Sequence, residues 1–127
     1  MKLVRYRHGG QTRLGKVVGD RVVDLSETVG GGDSMRQLLT VLPAYRNVLD
    51  VATGPSLALS DVVLAAPIHD PQKFLGIGMN YRQHAEEARQ AGIPIPASQM
   101  WFNKQVSCIN GPFDPVVKPE VTQEMDY

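Results

Sequence analysis

Three side chains carry most of the chemical suggestion in this sequence: His84, Glu87 and Lys104. His84 and Glu87 stand three apart in the run Tyr81–Ala91, which reads as a helix, so they share one face about 5–6 Å apart at Cβ. A carboxylate beside an imidazole fixes its tautomer and favours its protonated form, and general bases are built this way. The same spacing also describes a solvated His–Glu pair worth a few tenths of a kcal/mol. Two features favour the first reading. The helix follows directly on the glycine-flanked strand end Gly76-Ile77-Gly78, where pockets in sheet proteins tend to open. Tyr81, Ala85 and Ala88 flank His84, so the imidazole is expected to face inward. Lys104 closes the strand-like Trp101-Phe102-Asn103-Lys104, where it reads as a clamp for a substrate carboxylate or as a snorkelling edge residue.

The remaining reactive residues offer less. Cys108 is the single cysteine, which excludes an internal disulfide and a thiolate metal cage. It reads as a buried structural thiol. His8 and His69 fall in turn-rich stretches and read as surface residues, and Arg82 with Glu86 reads as an exposed pair. Metal ligands are sparse: Phe74–Met79 holds no acid, Asp114 precedes a proline in a turn, and Glu120, Glu124 and Asp126 form no cage by themselves. No metal ligand is assigned within the chain.

These residues need a scaffold. The 127 residues suffice for one domain, or one and a fraction. Thirteen basic residues balance thirteen acidic ones, so no global field steers the chain to nucleic acid or anionic lipid. No apolar run has the length of a signal peptide or a membrane helix, and a cytoplasmic setting without a membrane partner is the expectation. Lys2–Arg7, Arg13–Val18 and Arg21–Leu25 alternate in character and are joined by Gly9-Gly10 and Gly19-Asp20, which predicts an antiparallel meander. After Gly30-Gly31-Gly32, Asp33 is the expected N-cap of a helix with Met35, Leu38, Leu39 and Leu42 on one face. A second helix is expected after Pro43, ended by Gly54-Pro55. Asp61–Pro67 reads as a linking strand and Lys73–Met79 as another. Asn80 would cap the Tyr81–Ala91 helix, and Gly92 would end it. Met100–Lys104 is strand-like, Gly111–Pro115 is turn chemistry, and Val116-Val117 opens a short strand. The division expected is a small N-terminal α+β cap domain, 1–60, followed by 61–127 as the start of a β-rich body.

The run Gly76-Ile77-Gly78-Met79-Asn80-Tyr81-Arg82-Gln83-His84, with Glu87, resembles the hallmark of the fumarylacetoacetate hydrolase family. Phe102-Asn103-Lys104, Ser107 and Gly111-Pro112-Phe113-Asp114-Pro115 resemble its next motif in order and spacing. The resemblance covers about residues 60–127, and the first 60 resemble more weakly the small N-terminal domain of many bacterial members. It implies an α+β fold whose second part begins a mixed β-roll. It also implies hydrolysis of a carbon–carbon bond in 2,4-dioxo acids of the acylpyruvate or fumarylacetoacetate kind, with decarboxylation or isomerisation of an oxo acid as the alternative. In that scheme His84, oriented by Glu87, activates water, Lys104 and Tyr81 contact the substrate, and Gly78 shapes the pocket wall. A Mg²⁺ or Mn²⁺ ion chelates the substrate.

The family's metal ligands begin with a Glu-x-Glu pair directly after the Asp-Tyr that here is Asp126-Tyr127. The resemblance therefore implies that the ligands lie beyond Tyr127 and that this is the N-terminal part of an enzyme about twice as long. That enzyme is expected to be a homodimer at full length. The 127 residues alone are expected to be inactive, serving at most as a folding or oligomerisation module.

Overall fold

A computed structural model of the chain describes residues 1–124; Asp126 and Tyr127, after which the resemblance places the metal ligands, lie outside the described residues. The architecture mixes helix and strand. Three strands, β1 (Lys2–His8), β2 (Gln11–Val18) and β3 (Arg21–Asp24), form the meander that the glycine turns predict. Gly9, Gly10 and Gly19 all take positive φ, which the tight hairpin turns require. Two further short strands, β4 (Ser56–Ala58) and β5 (Val63–Leu64), flank the meander and give an antiparallel sheet in the order β4-β3-β2-β1-β5. The Asp61–Pro67 stretch is thus only partly strand, and β4 has no counterpart in the sequence reading.

Alternation sends the two sets of side chains to opposite faces of this sheet. One face buries Leu14 and Leu25 against Met35, Leu38 and Leu49 of the long helix α1 (Met35–Val51). The other buries Tyr6 and Val22 with Val62, backed by Leu57, Leu59 and Leu64. Each fully buried Leu or Val contributes about 1.5–3 kcal/mol, so these two clusters hold the first unit together. Gly15 makes room for Tyr6: a Cβ there would lie 3.0 Å from the Tyr6 ring and 2.6 Å from Val22 Cγ1.

Helix α1 departs from expectation at both ends of its first half. Its N-cap is Ser34, whose hydroxyl accepts from the Gln37 amide at 3.3 Å, while Asp33 instead takes the Arg5 guanidinium at 2.6 Å. Pro43 lies inside the helix and does not divide it in two. A proline there forfeits one backbone hydrogen bond. Core contacts of Leu38, Leu42 and Leu49 on both sides of it, with Ala52 just past the helix end, hold the helix continuous.

No basic residue stands in the last turn of α1, and Lys16 of β2 fills that role. Its ammonium donates to the carbonyls of Leu49 and Asp50, both at 2.8 Å, and the residue is only 7% exposed. Lysine in a strand pattern gives no hint of this, because the partner is a helix end 33 residues away. Lys16→Met is expected to cost about 1–3 kcal/mol, the value of carbonyls left without a donor. Urea unfolding with an unchanged m-value checks it.

The chain divides into two compact units, Met1–Asp70 together with residues from Ile109 onward, and Pro71–Cys108. The second contains the antiparallel pair β6 (Phe74–Gly78) and β7 (Met100–Lys104) and the helix α2 (Arg82–Gln90). Val116-Val117 forms no strand and both side chains are exposed; they find no partner strand among the described residues. No helix of the described residues is long and apolar enough to cross a membrane.

Candidate active site

The second unit brings together the elements that carry His84, Glu87 and Lys104. β6 and β7 pair with Phe74 opposite Lys104, Gly76 opposite Phe102 and Gly78 opposite Met100. β6 ends at Gly78, Met79 turns the chain at φ 55°, and α2 begins at Arg82. Asn80 does not cap this helix. The N-cap position belongs to Tyr81, which makes no side-chain cap bond, so the turn is set by the left-handed Met79 and not by an Asx contact. The other end follows expectation. Gly92 takes φ 74°, its amide donates to Arg89 O at 3.1 Å, and the Ile93 amide donates to Ala88 O at 2.8 Å, a Schellman termination.

On α2 the His84 Nδ1 lies 3.8 Å from Glu87 Oε2. That is ion-pair distance, too long for a hydrogen bond. Both side chains are 62% exposed, so the inward-facing imidazole expected from its apolar neighbours is not found in this chain. Ala88 is buried and Ala85 partly so, and this narrow alanine stripe, not His84, is the face that packs. Tyr81 is 79% exposed. Arg89, not Arg82, pairs with Glu86. Cys108 is exposed at the end of the 3₁₀ turn Val106–Cys108, so it is not a core thiol.

Lys104 Nζ stands 5.8 Å from the Phe74 ring centroid and 5.9 Å from that of Phe102, within cation–π range of both. No carboxylate among the described residues lies within ion-pair distance of it, and the flanking rings hold its charge on one face of the β6–β7 pair. Gly78 shapes this face: a Cβ there would lie 2.7 Å from Met100 Cε.

Two acids outside this unit, Asp114 and Asp70, are committed to structure. Asp114 accepts from Arg7 Nη2 at 2.5 Å and from the Gly111 amide at 3.2 Å. The Arg7 hydrogen bond holds its carboxyl below the usual carboxylate range. The Gly111–Pro115 turn is thereby tied to β1, a link 107 residues long that sequence reading sees only as turn chemistry. Asp70 accepts from the Ser34 hydroxyl at 2.7 Å and from Arg36, with Ser34 the main cause of its lowered pKa. Among the described residues no three His, Cys, Asp or Glu side chains come together to hold a metal ion. Two clefts of about 440 and 540 Å³ lie in the first unit, and none of the candidate residues lines them.

Residues 73–127 match the family model described as fumarylacetoacetate (FAA) hydrolase C-terminal, and residues 1–67 match the one described as Rv2993c-like, N-terminal. The chain is 44% identical over 97 residues to a mitochondrial oxaloacetate tautomerase of Xenopus laevis, covering 73% of this chain and 29% of that protein. It is 32% identical to a fumarylacetoacetate hydrolase domain-containing protein 2 homolog of Dictyostelium discoideum, over all of this chain and 43% of that one. Among solved structures, maleylpyruvate hydrolase from Sphingobium sp. SYK-6 superposes with a TM-score of 0.74 at 27% identity, over 97% of this chain and 43% of that one. The same enzyme in complex with manganese(II) ion and pyruvate gives 0.73 at 28% identity, over 94% and 43%. The chain spans less than half the length of each of these relatives.

Proposed function

We propose, on the premise that this chain belongs to the fumarylacetoacetate hydrolase family, that the protein carrying it acts on 2-oxo acids through proton transfer by His84. Glu87 holds the imidazole in one tautomer and orientation. With a 2,4-dioxo acid as substrate, His84 takes a proton from water and the oxygen adds to the C4 carbonyl. The C3–C4 bond then breaks, the acyl part leaves as a carboxylic acid, and the electron pair stays on C3 as the enolate of pyruvate. The proton returns from His84 to C3, so one water is consumed and the imidazole is regenerated. Lys104 holds a carboxylate or the developing charge, Tyr81 contacts the substrate, and the backbone at Gly78 forms the wall of the site.

The observation that carries this reading is the His84–Glu87 pair at 3.8 Å, on the helix that starts at Arg82, close behind the end of β6 at Gly78, within the matched segment 73–127. A second reading, keto–enol tautomerisation of an oxo acid, is favoured by the 44% identity to the oxaloacetate tautomerase. It uses the same base, which removes the C3 proton and delivers it to oxygen. The described residues do not fit a divalent ion by themselves. For an enzyme that uses Mn²⁺ or Mg²⁺, the ligands are proposed to come from outside these residues.

Proton NMR of the protein with acetylpyruvate and, separately, with oxaloacetate tests the proposal. Acetate plus pyruvate marks hydrolysis, and accelerated keto–enol interconversion marks the tautomerase. Catalysis of neither, with divalent metal supplied, contradicts the proposal.

A further inference from the structure

The Gly111–Pro115 turn opens on the only Asn-Gly step of the sequence, Asn110-Gly111. Asn110 is exposed, and its side chain is held in one pose: Nδ2 donates to the carbonyls of Asp114 at 3.4 Å and Pro115 at 2.9 Å. Oδ1 is thereby turned to the Gly111 amide, which donates to it at 3.1 Å and shares the same hydrogen with Asp114 Oδ2 at 3.2 Å. The carboxylate comes this close only because residue 111 has no side chain. A Cβ there would lie 2.5 Å from Asp114 Oδ2. Arg7 takes the other carboxylate oxygen, Oδ1, at 2.5 Å, which fixes the group and keeps it ionised. A nucleophile, an electrophile and a proton acceptor thus stand within one turn, and the proposed reaction uses none of them.

We infer that this turn is a self-modifying site: the Gly111 nitrogen attacks the Asn110 carboxamide carbon while Asp114 takes its proton, and the side chain closes into a succinimide. Loss of the amide proton leaves a lone pair in the peptide plane, along the line on which the N–H now points at the carboxamide. The nitrogen already stands 3.1 Å from the carboxamide oxygen, the kind of separation at which held groups react. The new bond joins Gly111 N to Asn110 Cγ. The proton passes through Asp114 Oδ2 to Nδ2, the Cγ–Nδ2 bond breaks, and ammonia leaves. Water then opens the ring at either carbonyl, so one water is consumed, one ammonia is released, and position 110 carries an aspartyl or isoaspartyl residue. The consequence is structural. A carboxylate replaces the amide that donates to two carbonyls, and it stands beside a second carboxylate. The turn loses its grip on Asp114, and its tie to Arg7 of β1 loosens as the protein ages.

The test incubates the whole protein at neutral pH and follows, by mass spectrometry, the tryptic peptide that begins at Gln105. Conversion is expected at Asn110 and not at Asn47, Asn80 or Asn103, each followed by a residue with a side chain. It is expected to run at least about tenfold faster in the folded protein than in the same protein held in urea, because only the fold places the base. Asp114→Asn keeps the size and removes the base. It is expected to lower the folded rate by about 10- to 100-fold, at or below the low end of a positioned base's contribution, since Arg7 makes this carboxylate a weak one. The pH profile separates a base from a brace. The folded parent is expected to depend on hydroxide less steeply than the unfolded chain, and Asp114→Asn to regain the steep dependence while still folded. A folded rate equal to or below the rate in urea overturns the inference, and so does an Asp114→Asn rate or pH profile equal to the parent's.

Discussion

Replacing His84 by alanine is expected to lower turnover of a 2,4-dioxo acid by about 10²–10⁴-fold, the usual contribution of a positioned general base. Glu87→Gln, which keeps the size and removes the charge, is expected to give a smaller loss, because it disturbs orientation and not the proton acceptor itself. The split between kcat and KM separates this role from a structural one: a base used only in the reaction lowers kcat with KM nearly unchanged. The helix is not expected to unfold in either variant, since both side chains are 62% exposed and the buried face of α2 is the alanine stripe. Undiminished kcat in His84→Ala removes the imidazole from the mechanism. That exposure also bears on how the base works. A group open to bulk water loses much of the electrostatic advantage of an enclosed site. The relatives are more than twice as long as this chain, and the proposal places the cover for His84 in the remainder of such a protein.

The second large effect is on stability and concerns the first unit. Asp24 is 6% exposed, accepts from Tyr6 Oη at 2.6 Å, from Arg13 Nη1 at 3.1 Å and from the Ser26 amide at 2.7 Å. Burial alone would raise its pKa, but the hydrogen bonds from Ser26, Tyr6 and Arg13 outweigh it and hold the carboxyl at about 2. Burial, then the Asp24 contact, push the Tyr6 hydroxyl up to about 12. Asp24→Ala strands a buried hydroxyl and a backbone amide, and is expected to cost about 2–4 kcal/mol. Tyr6→Phe is expected to cost less, about 1–2 kcal/mol, because the carboxylate keeps its other donors. The pH dependence follows from linkage. A depressed carboxyl contributes stability above its unfolded pKa of 3.8, and that contribution, about 2 kcal/mol, is lost as pH falls through about 2. A raised phenol contributes below its unfolded pKa of 10, and loses a similar amount as pH rises toward about 12. Urea midpoints are expected to lose their acid-side fall in Asp24→Ala and to keep part of the alkaline fall, because the burial of Tyr6 remains. Equal pH dependence in the parent and the variant contradicts the assignment.

How much of this was legible depends on whether the signal is local. The meander was, because Gly9-Gly10 and Gly19-Asp20 encode hairpin turns and the strands between them alternate. The end of α2 was too, because Gly92 supplies the positive φ that a Schellman termination needs. The cap of α1 falls one residue beyond the expected Asp33: both Asp33 and Ser34 are good caps locally, and Asp33 is held by the distant Arg5. Pro43 misled because core contacts on both sides outweigh its local penalty. β4 was invisible: three residues pair with β3 through Leu57 opposite Val22, and no periodicity exists over so short a span. Within the candidate site, residue types and spacing put forward His84, Glu87 and Lys104 as candidates, but carry no signal for their exposure, which depends on what packs against α2. The aromatic flank of Lys104 follows from the β6–β7 register, and a register is a property of two strands, not of either sequence alone. Buried Lys16 and Asp24 escaped for the same reason.

The most direct test of the central claim is exchange of the C3 protons of pyruvate or oxaloacetate in D₂O, followed by proton NMR, because hydrolysis and tautomerisation both need His84 to move a proton at that carbon. The protein is predicted to accelerate exchange, and His84→Ala to lose at least a hundredfold of that acceleration while remaining folded. Equal exchange rates in the parent protein and His84→Ala contradict the assignment of His84 as the proton-transfer group.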